Sequence, residues 1–142
     1  YVICGVGPLK EKYIQLAKQL GVSDRLHLLG YRSDVIRIMK SSDIFVFPSK
    51  REGLSVALLE AMASGMLCLA SDIRGNTDII QNGQTGYIFS CNHFTEKISL
   101  FFKSHIFCFD KWHENYNHTF AEKYGIEQIK KKMCQIYGME GC

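Results

Sequence analysis

Apolar runs that alternate with helical periodicity predict an α/β chain built on a doubly wound parallel sheet flanked by helices, with a helical C-terminal tail. Residues 44–47 and 66–70 are apolar at nearly every position rather than every second one, as in strands covered on both faces. Helix-like segments stand between such runs, and a strand, helix, strand order with right-handed crossovers gives parallel neighbours. The length of 142 residues suits one domain with a core large enough to fold without staples.

Residues 1–4 are a short apolar run ending in Gly5, Val6, Gly7 and Pro8. Leu9, Tyr13, Leu16, Ala17 and Leu20 then recur at helical spacing up to Gly21, so strand, turn and helix follow one another. Residues 26–29 are strand-like, Ser33 or Asp34 can cap a helix carrying Val35, Ile36 and Met39, and residues 44–47 form the next strand. Residues 54–63 read as a helix stopped by Gly65, and 66–70 as a buried strand. Asn82, Gly83, Gln84, Thr85 and Gly86 make a turn-rich lead into a short strand at 87–89. From Phe94 onward the chain reads as helical: a Phe-rich stretch to about Phe109, a polar aromatic segment to Tyr124, and an amphipathic helix over 126–137. In that last helix Ile126, Ile129, Met133 and Ile136 share one face and Lys130, Lys131 and Lys132 hold much of the other, a packing helix with a solvated basic side.

Composition narrows the function classes. Hydrophobic residues at 46% and charged residues at 22% are ordinary for globular proteins and argue against disorder or a fibrous chain. A net charge of +3 with scattered Lys and Arg does not call for a nucleic-acid partner, but suits a small anionic ligand. Six cysteines include no C-x-x-C pair, and Cys4 and Cys68 lie in strand-like runs, so reduced thiols in a cytoplasmic protein are expected. No apolar stretch approaches the ~18 residues of a membrane span and no secretory signal opens the chain, leaving a cytoplasmic domain or one peripheral to a membrane. Five histidines form no H-E-x-x-H pair, so no metal is assigned. Gly5, Val6 and Gly7 have Lys10 where a dinucleotide fingerprint needs its third glycine. Tyr1 opens directly on an apolar run without a leading methionine, so a preceding segment is expected.

The segment Pro48, Ser49, Lys50, Arg51, Glu52, Gly53, Leu54, Ser55 and the apolar stretch 56–63 behind it carry the chemistry. Glu60 is the one charge in that stretch, and a carboxylate buried among apolar side chains is costly unless something binds it. In an open parallel sheet, ligands bind beyond the carboxyl ends of the strands, where Glu52 leaves the strand at 44–47. Gly53, Leu54 and Ser55 open the helix, so their N–H groups and the positive end of its dipole are a seat for phosphate. At ~1.5 Å rise per residue, Glu60 stands on the order of 10 Å from Glu52, room for a phosphate between two hydroxyl-rich rings.

Glu52 and Glu60 with seven residues between them, together with Pro48, Ser49, Gly53, Ala61, Met62 and Gly65, resemble the signature of retaining GT-B glycosyltransferases of group 1. The glycine-rich turn at Gly5, Val6, Gly7 and Pro8, then Gly30, then Ser42 and Asp43, and finally the Asn82 to Gly86 turn are similar to further segments of that family in the same order.

The resemblance implies half of a GT-B fold, a Rossmann-like C-terminal donor-binding domain over residues 1–142, with the acceptor domain outside this chain. It implies a nucleoside diphosphate sugar as donor, a UDP-sugar first among them, no metal or other cofactor, and a glycan or glycolipid acceptor. Glu60 would accept hydrogen bonds from the ribose hydroxyls and Glu52 from hydroxyls of the donor sugar, holding it for catalysis as a positioning group rather than a base. Gly53, Leu54 and Ser55 would donate N–H groups to the diphosphate and sugar. Gly30, Tyr31 and Arg32 would border the base, with Arg32 or Arg37 as side-chain contacts. Lys50 and Arg51 read as solvated loop charges. An Arg and Lys pair that neutralises the leaving diphosphate in the family has no match here, which leaves open a non-catalytic nucleotide- or glycan-sensing module, or a phosphorylase or sugar-phosphate synthase of the same architecture.

Overall fold

The computed structural model describes residues 1–105 and divides the chain into two units, one over 1–38 and the other from Met39 onward. Strands and helices alternate as expected, and among the described residues every strand pairing is parallel. The described strands hydrogen-bond as two sheets, one of two strands and one of three.

In the first unit β1 (Val2–Cys4) pairs with β2 (His27–Gly30), the register slipping between Ile3 and Cys4, and α1 (Lys10–Gln19) lies between them in sequence. The apolar stripe read in α1 stays mostly in solvent. Ala17 is buried, whereas Leu9, Tyr13, Leu16 and Leu20 remain 40 to 65% exposed, because a pair of short strands is too narrow to cover three helical turns. Helix α2 (Val35–Lys40) crosses the division between the units.

In the second unit the sheet runs β3 (Ile44–Phe47), β4 (Leu67–Ser71), β5 (Tyr87–Phe89), with β4 central and buried at every residue. Side chains alternate across it. Leu67 and Leu69 pack with Phe101 of α5 (Phe94–His105), joined by Ile44, Val46, Tyr87, Phe89, Ile98 and Phe102. The Tyr87 and Phe101 rings approach to 4.7 Å, and Phe89 meets both Phe94 and Phe101 edge-on, so the Phe-rich stretch is core as far as it is described. On the opposite face Cys68 and Ala70 are fully buried. Helix α3 (Val56–Ala63), lying against β3 and β4, contributes Leu58, Ala61 and Met62 to the residues with no exposure.

Helix α3 starts two residues later than the sequence pattern suggested and stops where expected. Ser64 closes it, the Gly65 N–H bonds to the Met62 carbonyl at 3.0 Å, and the Met66 N–H bonds to the Ala61 carbonyl at 3.1 Å. This ending requires a left-handed residue, and Gly65 supplies it with φ 81°. The Asn82 to Gly86 turn is held by the Gln81 N–H on Thr85 Oγ1 at 2.9 Å, and Asn82 Oδ1 accepts the Ile88 N–H at 2.9 Å. The amphipathic helix expected at 126–137 and the aromatic segment before it lie outside the described residues.

Cys4, Cys68 and Cys91 are free thiols, and burial pushes the Cys68 thiol up to about 12. In the folded chain Cys68 should therefore resist iodoacetamide at pH 8 while exposed Cys91 is alkylated, as peptide mass spectrometry will read. Leu69→Ala empties the centre of the β4 and α5 core and should cost about 2–5 kcal/mol in denaturant unfolding.

Candidate functional site

The three described strands of the second unit run the same way, so their carboxyl ends share one edge. The loop that leaves β3 there ends at Ser55, which caps α3: its backbone is extended, its Oγ accepts the Leu58 N–H at 3.2 Å, and the residue is 3% exposed. The cap satisfies one of the orphan donors of the helix start. The backbone N–H groups of Gly53, Leu54 and Ser55 have no acceptor among the described residues. They precede the helix and stand at its positive end, as a phosphate seat requires.

Glu52 is half-buried in this loop, and its Oε1 accepts a hydrogen bond from Ser49 Oγ at 2.8 Å. The Ser49 carbonyl in turn accepts from Ser71 Oγ, at the carboxyl end of β4. Asn76 Nδ2 donates to the Ser71 carbonyl at 2.9 Å and to its Oγ at 3.2 Å. A polar chain thus links Asn76, in α4 (Arg74–Thr77), to the Glu52 carboxylate. Sequence reasoning passed over Ser71, Gly75 and Asn76. The available signal was a cluster of polar and small residues directly behind the most buried strand, at the edge where ligands bind.

Glu60 occupies the fifth position of α3 and is half-buried, not enclosed. Solvent reaches its carboxylate, so the fold does not force a partner on it as full burial would. Among the described residues the Glu60 carboxylate has neither a hydrogen bond nor an ion pair, which leaves both of its oxygens available to a ligand. Lys50 and Arg51 are exposed and make no ion pair among the described residues, as solvated loop charges do.

The other residues assigned from sequence belong to the first unit. Gly30 ends β2 and Tyr31 is 82% exposed. Arg32 is engaged by Asp34 in a two-pronged pair, Nε to Oδ1 at 2.8 Å and Nη2 to Oδ2 at 2.7 Å, so its planar edge is already occupied. The hydrogen bonds from Arg32 hold the Asp34 carboxyl below its ordinary range, with the charges of Arg32 and Arg37 adding to the effect. Arg37 is exposed on α2. This unit also contains a cleft of about 380 Å³ lined by Cys4, Gly5, Val6, Pro8, Tyr13 and Leu28, so the glycine-rich turn borders a concave surface. Among the described residues no three His, Cys, Asp or Glu side chains converge as a metal site.

The family model described as Glycosyl transferases group 1 matches residues 1–124. A curated relative from Escherichia coli, UDP-Gal:alpha-D-GlcNAc-diphosphoundecaprenol alpha-1,3-galactosyltransferase, is 39% identical over 94 residues, 65% of this chain and 24% of its own length. Among solved structures, Anabaena HepE in complex with UDP-glucose superposes with TM-score 0.79 at 18% identity, over 96% of this chain and 40% of its own. TarM of S. aureus gives TM-score 0.76 at 24% identity, over 96% and 28%. The chain spans about a quarter of the length of the curated relatives it matches.

The Arg32 and Asp34 pair offers a check by pH. A carboxyl depressed in the fold contributes stability above its unfolded pKa and loses it as pH falls through the folded value. Arg32→Ala should raise the Asp34 midpoint towards the ordinary carboxylate value, observed by carboxyl-carbon NMR titration, with little change in stability because the pair is solvent-exposed.

Proposed function

Because the chain belongs to the glycosyl transferases group 1 family, we propose that it is the donor-binding part of a retaining glycosyltransferase that moves a hexose from a UDP-sugar to a glycan or glycolipid acceptor. Its α/β fold is that of the Rossmann-like half of a GT-B architecture. The observation that carries the reading is the α3 entrance: three N–H groups without acceptors lie between a half-buried glutamate in the loop and a second, unpartnered glutamate inside the helix. Anionic oxygens suit the N–H groups, and vicinal hydroxyls suit the two carboxylates.

In this reading the diphosphate sits at the start of α3, held by the Gly53, Leu54 and Ser55 amides. Glu60 takes the ribose hydroxyls and Glu52 takes hydroxyls of the sugar, steadied by Ser49. No covalent nucleophile and no metal are assigned. The contribution of these residues is positioning and stabilisation of charge that grows on the departing diphosphate. A UDP donor is favoured because the E. coli relative is named for UDP-Gal and HepE was solved with UDP-glucose. Cytoplasmic placement, peripheral to a membrane, fits an acceptor carried on a lipid. The acceptor is assigned to chain beyond these residues, so ligand binding is the measurable step.

Charge-assisted hydrogen bonds are worth about 1.5–3 kcal/mol. Glu60→Gln should weaken UDP binding by roughly tenfold or more with the fold intact. Glu52→Gln should weaken a UDP-sugar and leave UDP nearly unchanged. Titration followed by amide chemical shifts reads both, and equal UDP affinity in the wild type and Glu60→Gln would refute the ribose assignment.

A further inference from the structure

Gly75, at the second position of α4, has an ordinary helical backbone and not the positive φ that favours glycine elsewhere in this chain. Space is what its hydrogen leaves open. A Cβ built there would fall inside the contact distance of the Gly53 carbonyl oxygen, 2.8 Å from the Glu52 carbonyl oxygen and 3.1 Å from the Glu52 carbonyl carbon. The peptide joining Glu52 to Gly53 therefore rests directly on Gly75. Four residues earlier Ser71 Oγ holds the Ser49 carbonyl, fixing the loop on the other side of Glu52. Ser71 is held by Asn76 Nδ2, and both residues are buried, with Ser71 at 1% and Asn76 at 0% exposure.

The Asn76 carboxamide is a poor choice if stability alone is at stake. Its Oδ1 is buried without a partner among the described residues, an arrangement that an apolar side chain of similar shape would avoid. The NH2 group that comes with it bonds twice to Ser71, and Ser71 bonds to the loop. Both contacts converge on one segment, the one that carries Glu52 and leads into the amides at the α3 entrance.

We infer that Gly75, Ser71 and Asn76 are positioning residues that set the height and tilt of the Glu52 to Ser55 segment towards a diphosphate-bearing ligand. The inference rests on the donor-binding reading of that segment. Hydrogen bonds to phosphate hold only over a few tenths of an ångström. Non-bonded atoms settle near 3.5 Å, so a methyl group at position 75 must displace the loop by on the order of 1 Å. Misplacement of that size can cost a hundredfold in an oriented site. Glu60, on the helix behind the cap, is not moved, so the nucleoside end of the ligand is spared.

The test uses the 142-residue chain, labelled for amide NMR, as wild type, Gly75→Ala and Ser71→Ala, titrated with uridine, UDP and UDP-glucose. In unliganded Gly75→Ala the Glu52, Gly53, Leu54 and Ser55 amides should shift while those of Leu69 and Ala70 stay in place. Affinity for UDP and UDP-glucose should fall about tenfold or more, and uridine, which lacks the diphosphate, should bind both proteins alike. Ser71→Ala should move the same amides less, and it carries the comparison if Gly75→Ala does not fold. Loss of uridine binding in step with UDP would mean general destabilisation and overturn the inference. Unmoved Gly53 to Ser55 amides, or UDP affinity equal to wild type in both variants, would overturn it while leaving the donor reading intact. A wild-type chain that answered to none of the three ligands would overturn both.

Discussion

The complete burial of β4 is the constraint from which the second unit follows. Five residues without solvent on either side can be tolerated only if both backbone edges are paired and both faces are covered. The parallel neighbours β3 and β5 satisfy the edges, and α3 and the aromatic cluster of α5 supply apolar cover. A parallel neighbour must be reached by a crossover, so the chain returns to the same end of the sheet each time. The loops after β3 and β4 consequently leave at one edge, and they meet there through Ser71 on Ser49 and Gly75 on the Glu52 and Gly53 peptide.

That meeting explains how a polar segment is held without being consumed. The loop after β3 has its carbonyl side fixed by Ser71 and Gly75 and its helix entrance closed by the Ser55 cap, while its N–H groups at Gly53 to Ser55 are left unused. A ligand that accepts hydrogen bonds there need not break an internal bond first. Preorganised donors of this kind lose little to reorganisation when charge develops.

Much of the fold was legible because its signals are local. Apolar runs marked β3, β4 and β5, and glycine at 65 marked the end of α3, since only backbone geometry and burial are needed to read them. The α1 stripe marked its helix in the same way, but periodicity reports which face is apolar, not whether enough surface exists to cover it, and two short strands do not provide it. Among the candidate site residues, Glu60 was visible as a charge in an apolar stretch and Glu52 as a carboxylate in the loop leaving a strand's carboxyl end, but their half-burial was not, because it depends on what packs beside them. Arg32 was read as available for a ligand, and its capture by Asp34 two residues on is a rotamer choice that sequence leaves open. Ser71 and Gly75 escaped because their meaning lies in contacts some 22 residues away along the chain, and Asn76 because it reaches that loop through Ser71.

Half-burial of the two glutamates is consistent with the electrostatics of such a seat. A fully buried carboxylate without a cation would neutralise itself rather than stay charged, and a fully exposed one would gain little from a hydroxyl that competes with water. Between these limits, a ligand that covers the group removes the remaining water and strengthens the bonds it makes. Glu52 and Glu60 both occupy that middle range, one steadied by Ser49 and the other left open on the helix. On the proposed reading, the unused amides between them would provide the opposite polarity, so the α3 entrance would discriminate by charge along its length: anionic oxygens at the middle, neutral hydroxyl donors at the two ends. A plain anion would then satisfy only the centre and a neutral sugar only an end, so the proposed donor is the composite molecule that would meet every group at once.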